Sequence, residues 1–165
     1  MIVIKILVLS DSHGDVDAMI RAVERFSPDG VVHLGDHIRD AEQLRARLGN
    51  IPFYSVPGNC DYGSDAPEVI QFSQGGIRFY ATHGHRHGVK FSPLRAVLAA
   101  QEAEANILCF GHTHRALYEN HSGLHVLNPG ACSGVNPKCA TVTIENGAVC
   151  CALHELGGKS HDSCN

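Results

Sequence analysis

Apolar blocks separated by short polar clusters organise this chain. Residues 2–9 are apolar except at Lys5, a pattern that predicts a strand covered on both faces. Val16, Met19, Ile20 and Val23 then recur at helical spacing, so the chain opens with a β-α unit. Val31 to Leu34 predict the next strand. Ile38, Ala41, Leu44 and Leu48 mark a second helix that Gly49-Asn50 can end, and residues 51–56 predict a third strand stopped by Pro57-Gly58.

Past residue 65 the pattern changes. Strands are predicted near 68–73 and 77–82, joined as a hairpin by Gly75-Gly76. A third helix is expected to open at Ser92-Pro93, with Ser92 as N-cap, Pro93 in the first helical position, and Leu94, Val97 and Leu98 as its apolar stripe. The segments 107–110, 116–120, 124–127, 139–144 and 148–153 read as further strands. Periodicity alone supports an α/β fold with added strands, in one domain over residues 1–156. The polar segment 157–165 is expected to be a flexible tail.

Composition narrows the class. A chain of 165 residues, 44% hydrophobic and 18% charged, is long enough to bury a full core. The net charge of −4, with no dense run of Lys or Arg, argues against duplex nucleic acid as a partner. Small anionic substrates stay open, because a metal site carries its own positive charge. No stretch approaches the roughly 20 apolar residues of a membrane helix. The 2–9 run contains a lysine and leads into Asp11 without a small-residue cleavage site, so a cytoplasmic protein without a membrane partner is expected. The seven cysteines lack the paired spacing of a zinc ribbon and are read as packing residues, with adjacent Cys150 and Cys151 on opposite faces of a strand.

The candidate chemistry lies in five clusters, each just after an apolar run: Asp11-Ser12-His13, Gly35-Asp36, Gly58-Asn59-Cys60-Asp61, His83-Gly84-His85 and Gly111-His112-Thr113-His114. In a sheet of β-α units, side chains beyond the carboxyl ends of the strands are those a ligand can reach. Asp and neutral His are ligands for divalent transition metals, and no cysteine cluster competes with them. In two-metal sites the ions sit roughly 3.5–4 Å apart, and a bridging carboxylate offsets their repulsion. Asp36, alone after Gly35 and central in the chain order, is the candidate bridge.

These five ordered motifs resemble the pattern of the calcineurin-like metallophosphoesterase superfamily, specifically its small bacterial and archaeal phosphodiesterase branch, from residue 4 to about 150. The resemblance implies a four-layer α-β-β-α sandwich with two mixed sheets. It implies that Asp11, His13, Asp36 and His114 hold one divalent ion and that Asp36, Asn59, His83 and His112 hold a second. Manganese is the first expectation for the metal, with Fe, Zn, Ni and Co as alternatives. The implied reaction is hydrolysis of a small phosphodiester by a hydroxide bridging the two ions, with Asn59 and the metals orienting the phosphate. The superfamily commonly places a histidine after the asparagine, where this chain has Cys60; His85 or a metal-bound water is then the expected proton donor.

Blander readings stand beside these. His33, His37, His87, His121, His125, His154 and His161 are expected in surface or packing roles, Asp40 on a solvated helix face, and Asp61 in turn stabilisation or helix capping. Asn128-Pro129-Gly130 reads as a structural turn. A protein-binding scaffold on the same fold, like the retromer subunit of eukaryotes, is the alternative function. A homodimer is an open possibility.

Overall fold

The computed structural model describes residues 2–157, so the tail expected at 157–165 lies outside the described residues except for Gly157. Ten strands and three α-helices follow in the order β1 (Val3–Leu9), α1 (Val16–Phe26), β2 (Gly30–His33), α2 (Ile38–Leu48), β3 (Phe53–Ser55), β4 (Val69–Gln74), β5 (Ile77–Thr82), α3 (Leu94–Glu102), β6 (Ile107–Cys109), β7 (Leu117–His121), β8 (Leu124–Asn128), β9 (Lys138–Glu145) and β10 (Ala148–Glu155). A 3₁₀ turn covers His85–His87 between β5 and α3.

The strands form two five-stranded sheets, in the orders β10-β9-β1-β2-β3 and β4-β5-β6-β8-β7. Both are mixed. β1, β2 and β3 run parallel, with β9 and β10 added antiparallel. In the second sheet β5, β6 and β8 run parallel, with antiparallel edges β4 and β7.

Alternation along the strands sorts side chains into three apolar layers. Ile6, Val8, Val32 and Leu34 of the first sheet meet Phe79, Ala81, Ile107 and Leu127 of the second between the sheets. Leu7, Leu9 and Val31 face outward onto Met19 and Ala22 of α1 and Leu44 of α2. Tyr80, Leu108 and Phe110 face the other way, onto Ala96, Val97 and Ala100 of α3. The result is a four-layer α-β-β-α sandwich, and strands buried on both faces explain the unbroken apolar runs.

Two details of the third helix differ from expectation. Pro93, not Ser92, occupies the N-cap position, and Ser92 Oγ accepts the Leu94 N–H at 3.2 Å as a short side-chain turn ahead of the helix. The buried stripe is Ala96, Val97 and Ala100, while Leu94 and Leu98 are 58% and 54% exposed. Small side chains let α3 lie close to its sheet, which turns the leucines outward. The packing role expected of the cysteines holds for Cys109, Cys132 and Cys139, which are buried, and for Cys151, which packs at the inter-sheet layer; Cys60 and Cys150 are exposed instead, and Cys164 lies outside the described residues. Among the described residues, no helix is long and apolar enough to cross a membrane.

Candidate metal centre

The five polar clusters follow β1, β2, β3, β5 and β6, all members of the parallel portions of their sheets, so all five emerge at carboxyl ends of parallel strands. Backbone bonds tie the ends together. Asp11 N–H donates to Gly35 O at 2.9 Å within the first sheet, and Gly111 N–H to His83 O at 3.0 Å within the second. The His83 ring crosses between them, its Nδ1 lying 2.7 Å from Leu34 O.

Asp11, His13, Asp36 and His114 each bring one ligand atom into a group whose members all lie within 4.8 Å of one another. Asp11 and Asp36 are buried, whereas His114 is exposed. Each carboxylate is aimed by a bond to its far oxygen. Asp11 Oδ2 accepts Ser10 Oγ–H at 2.5 Å and the His112 N–H at 3.1 Å, leaving Oδ1 toward His114 Nε2 at 3.0 Å and His13 Nε2 at 3.8 Å. Asp36 Oδ1 accepts the Cys60 N–H at 2.9 Å, leaving Oδ2 free to face inward.

A second group adjoins the first. His83 Nε2 stands 3.0 Å from Asn59 Oδ1, 3.1 Å from His112 Nδ1 and 3.5 Å from Asp36 Oδ2. Because a carbonyl sits at His83 Nδ1, that nitrogen carries the proton and Nε2 presents its lone pair. His112 is held neutral: burial first, then the neighbouring His83 and Lys90, lower its pKa to about 4. Lone pairs of two imidazoles and an amide oxygen facing one another repel unless a cation or proton lies among them. Burial opposes ionisation of Asp36, but the Cys60 N–H and the nearby His83 and His13 outweigh it and hold the carboxyl below its usual value. This donor chemistry fits divalent metal ions. Asp36 is shared, with Oδ2 at 3.8 Å from His13 Nε2 and 3.5 Å from His83 Nε2.

The local backbone is unusual in the same place. Asp11, His13, Asp36, His37, His112 and His114 all have left-handed φ, between 41° and 70°, which L side chains adopt at a cost of order 1–3 kcal/mol each. Close packing accounts for two of the glycines. A Cβ on Gly58 would collide with the Asp36 carboxylate, and one on Gly111 with Ser10 Oγ and Asp11 Oδ2.

His85 lies at the edge of the second group, its ring centroid 5.4 Å from that of His83 and 6.1 Å from that of His112. Its Nδ1 is buried without a hydrogen-bond partner, and burial lowers its pKa. Exposed Cys60 has its thiol pushed up, by partial desolvation first and then by Asp36, which keeps it protonated.

Support for the centre comes partly from residues given bland readings. Asp40 is buried, on the inner side of α2, and its Oδ2 accepts Ser12 Oγ–H at 2.8 Å and Gly14 N–H at 2.7 Å. Ser12 Oγ in turn lies 3.0 Å from His33 Nε2, and His33 Nδ1 accepts the Gly35 N–H at 3.2 Å. This chain of bonds joins the Asp11–Gly14 loop to the Gly35-Asp36 loop, and burial holds His33 neutral with a pKa of about 4. Asp40 is therefore a positioning residue rather than a solvated one. Asp61 does both tasks foreseen for it: Oδ2 accepts the Gly58 N–H and Oδ1 accepts the Ile38 N–H, each at 2.8 Å, capping α2 from the neighbouring loop. Asn128 Nδ2 binds Gly111 O at 3.1 Å and Thr113 Oγ1 at 3.0 Å, steadying the loop of His112 and His114.

Cavities open on two sides. One, of about 630 Å³, lies between the start of α2 and residues 60–66, with His37, Arg39 and Cys60 in its wall. The other, of about 560 Å³, is walled by Val89, Phe110 and Leu117 with Thr113 of the histidine loop.

The model of the calcineurin-like phosphoesterase superfamily domain matches residues 4–147. The chain belongs to this superfamily. A probable metallophosphoesterase of Bacillus subtilis strain 168, YsnB, is 30% identical over 158 residues, covering 93% of this chain and 92% of its own. A crystal structure of a predicted phosphoesterase from Streptococcus pneumoniae TIGR4 superposes with a TM-score of 0.78 at 27% identity, covering 98% of this chain and 94% of that one. Vacuolar protein sorting 29 from Cryptosporidium parvum shares the fold, with a TM-score of 0.73 at 18% identity over 94% of this chain and 98% of its own. Superfamily membership and the donor set together make the chain a metal-dependent phosphoesterase.

Proposed function

We propose that this chain is a phosphodiesterase with a dinuclear centre, in which Asp11, His13, Asp36 and His114 hold one divalent ion and Asp36, Asn59, His83 and His112 the other. The observation that carries this reading is the Asp36 carboxylate, whose Oδ2 stands within 4 Å of a histidine nitrogen from each group. When bound, two such ions supply a hydroxide nucleophile near neutral pH and positive charge facing the phosphoryl oxygens. The remaining tasks fall to the chain. Leu34 O fixes the His83 tautomer, the Cys60 N–H aims Asp36, and Asn59, whose Oδ1 lies 3.0 Å from His83 Nε2, would hold the second ion through that oxygen and offer its Nδ2 to a phosphate oxygen. His85 is our candidate for handing a proton to the departing oxygen.

Charge favours a diester. Two divalent ions against two carboxylates and the nucleophile leave about +1, which balances a singly charged diester better than a doubly charged monoester. Arg86, next to the histidine cluster, is engaged by Glu68 at 2.6 Å and adds little. Nitrogen and oxygen donors suit manganese, with Fe, Zn, Ni and Co as alternatives. We take the site of action to be the cytoplasm and the substrate to be a small molecule.

The test is hydrolysis of bis-p-nitrophenyl phosphate beside p-nitrophenyl phosphate, by chelator-stripped protein with each metal added back. Faster metal-dependent release from the diester is expected, together with a loss on the order of a hundredfold in Asp36→Asn, which lacks the shared charge. Unchanged turnover in that variant would dismiss the dinuclear model. No turnover with any metal, in protein shown to bind two ions, would favour the scaffold reading.

A further inference from the structure

The 560 Å³ cavity beside the centre has a composition that the hydrolytic chemistry does not require. Its size suits a small-molecule site. Its floor is apolar, made by buried Val89 and Phe110 with Pro93 and Leu117, and its rim carries two exposed cations, Lys90 and Arg115.

Two features join this cavity to the centre. Thr113, in its wall, stands between His112 and His114, and Arg115 directly follows His114. On the other side Val89 packs on the His83-Gly84-His85 turn so closely that a Cβ on Gly84 would come within 2.8 Å of it. The cavity is therefore bounded by two of the loops that carry the histidine donors.

The two cations are not spent on the protein itself. Arg78 pairs with Glu104 and Arg86 with Glu68, but neither Lys90 nor Arg115 has an acidic partner among the described residues. Unpaired cations at the mouth of an apolar cavity match a ligand with a flat apolar body and an anionic group, and an arginine fork favours phosphate geometry.

We propose that this cavity is the subsite for one ester substituent of the phosphodiester, and that Lys90 and Arg115 select a substituent that is itself a nucleoside phosphate. The proposal rests on the phosphodiesterase reading for its chemistry, but its binding element can be measured separately.

Thymidine 5′-(p-nitrophenyl phosphate) and its 3′-phosphorylated counterpart differ only in the added anionic group. In wild-type protein kcat/KM for the 3′-phosphorylated ester is expected to be higher by about tenfold, the order of one hydrogen bond to a charged group. The double variant Lys90→Gln, Arg115→Gln should erase that ratio. Equal kcat/KM for the two esters in the wild type overturns the proposal. So does a double variant that lowers both in proportion, since that is a structural effect.

Calorimetry on metal-free protein separates the two readings. Thymidine 3′,5′-bisphosphate should bind more tightly than thymidine 5′-phosphate, and the double variant should lose about tenfold on the bisphosphate alone. If that pattern holds while neither ester is hydrolysed with any metal, the subsite stands and the phosphodiesterase reading falls. If the wild type binds both nucleotides equally, the subsite falls whatever the activity.

Discussion

The side chains at the centre are held by bonds that face away from it. Asp40 illustrates this, because its carboxylate receives Ser12 and Gly14 and never enters the group of donor atoms. Asp40→Ala takes this acceptor from the buried Ser12 hydroxyl and from the part-buried Gly14 N–H, so unfolding free energy should fall by about 1–3 kcal/mol in urea titrations. Metal affinity should weaken in the same variant. A stability within about 0.5 kcal/mol of wild type would mean that the network is incidental. Asp40 and His33 were not legible in the sequence, since their importance arises only where α2 approaches the Asp11–Gly14 loop. Asp11 and Asp36 stood out because each follows an apolar run.

His85 makes a sharper prediction. A proton donor matters for a poor leaving group and little for p-nitrophenolate. His85→Gln is expected to lower kcat by about 10²-fold on an alkyl diester and by less than about tenfold on a p-nitrophenyl ester. Equal losses on both would reduce His85 to a positioning role.

Among the elements, α3 shows what periodicity can and cannot resolve. Both Leu94-Val97-Leu98 and Ala96-Val97-Ala100 have helical spacing, and hydrophobicity favours the leucines. The structure buries the alanines, because a nine-residue helix lying over Tyr80, Leu108 and Phe110 gains more from close approach than from bulk. Ala100→Leu should therefore cost about 1–3 kcal/mol through overpacking, whereas Leu98→Ala should cost less than about 1 kcal/mol. Thermal melts of the two variants would reveal an inverted order if the leucine stripe faced the sheet. The strands were easier to read. Residues buried on both faces give unbroken apolar runs, and β1, β2, β5 and β6 were placed to within a residue or so, while β3 is shorter than the apolar stretch that announced it.

At the scale of the whole molecule, the pairing of two sheets was beyond sequence periodicity, which gave α/β with added strands; the motif resemblance supplied the sandwich. The centre at their junction also ties stability to pH. An unfolded chain protonates His33 below about 6.5, while the folded protein does so only near 4. Between those values the unfolded state binds more protons, so stability rises with pH, is complete above 6.5 and is lost as the pH falls toward 4. For His33 the interval corresponds to about 3 kcal/mol. Urea unfolding of metal-free protein between pH 7 and 4.5 should show this decline, and His33→Asn should flatten it. The same slope in the variant would assign the effect elsewhere.

One consequence follows from where the two cavities lie along the chain. The wall that includes Arg39 and Cys60 is drawn from residues 37–66, and the wall that includes Lys90 and Arg115 from residues 89–117. No residue is shared between them. Substitution in one wall thus leaves the lining of the other unchanged, and it spares the centre where it avoids Thr113 and Cys60, neighbours of His112, His114 and Asn59.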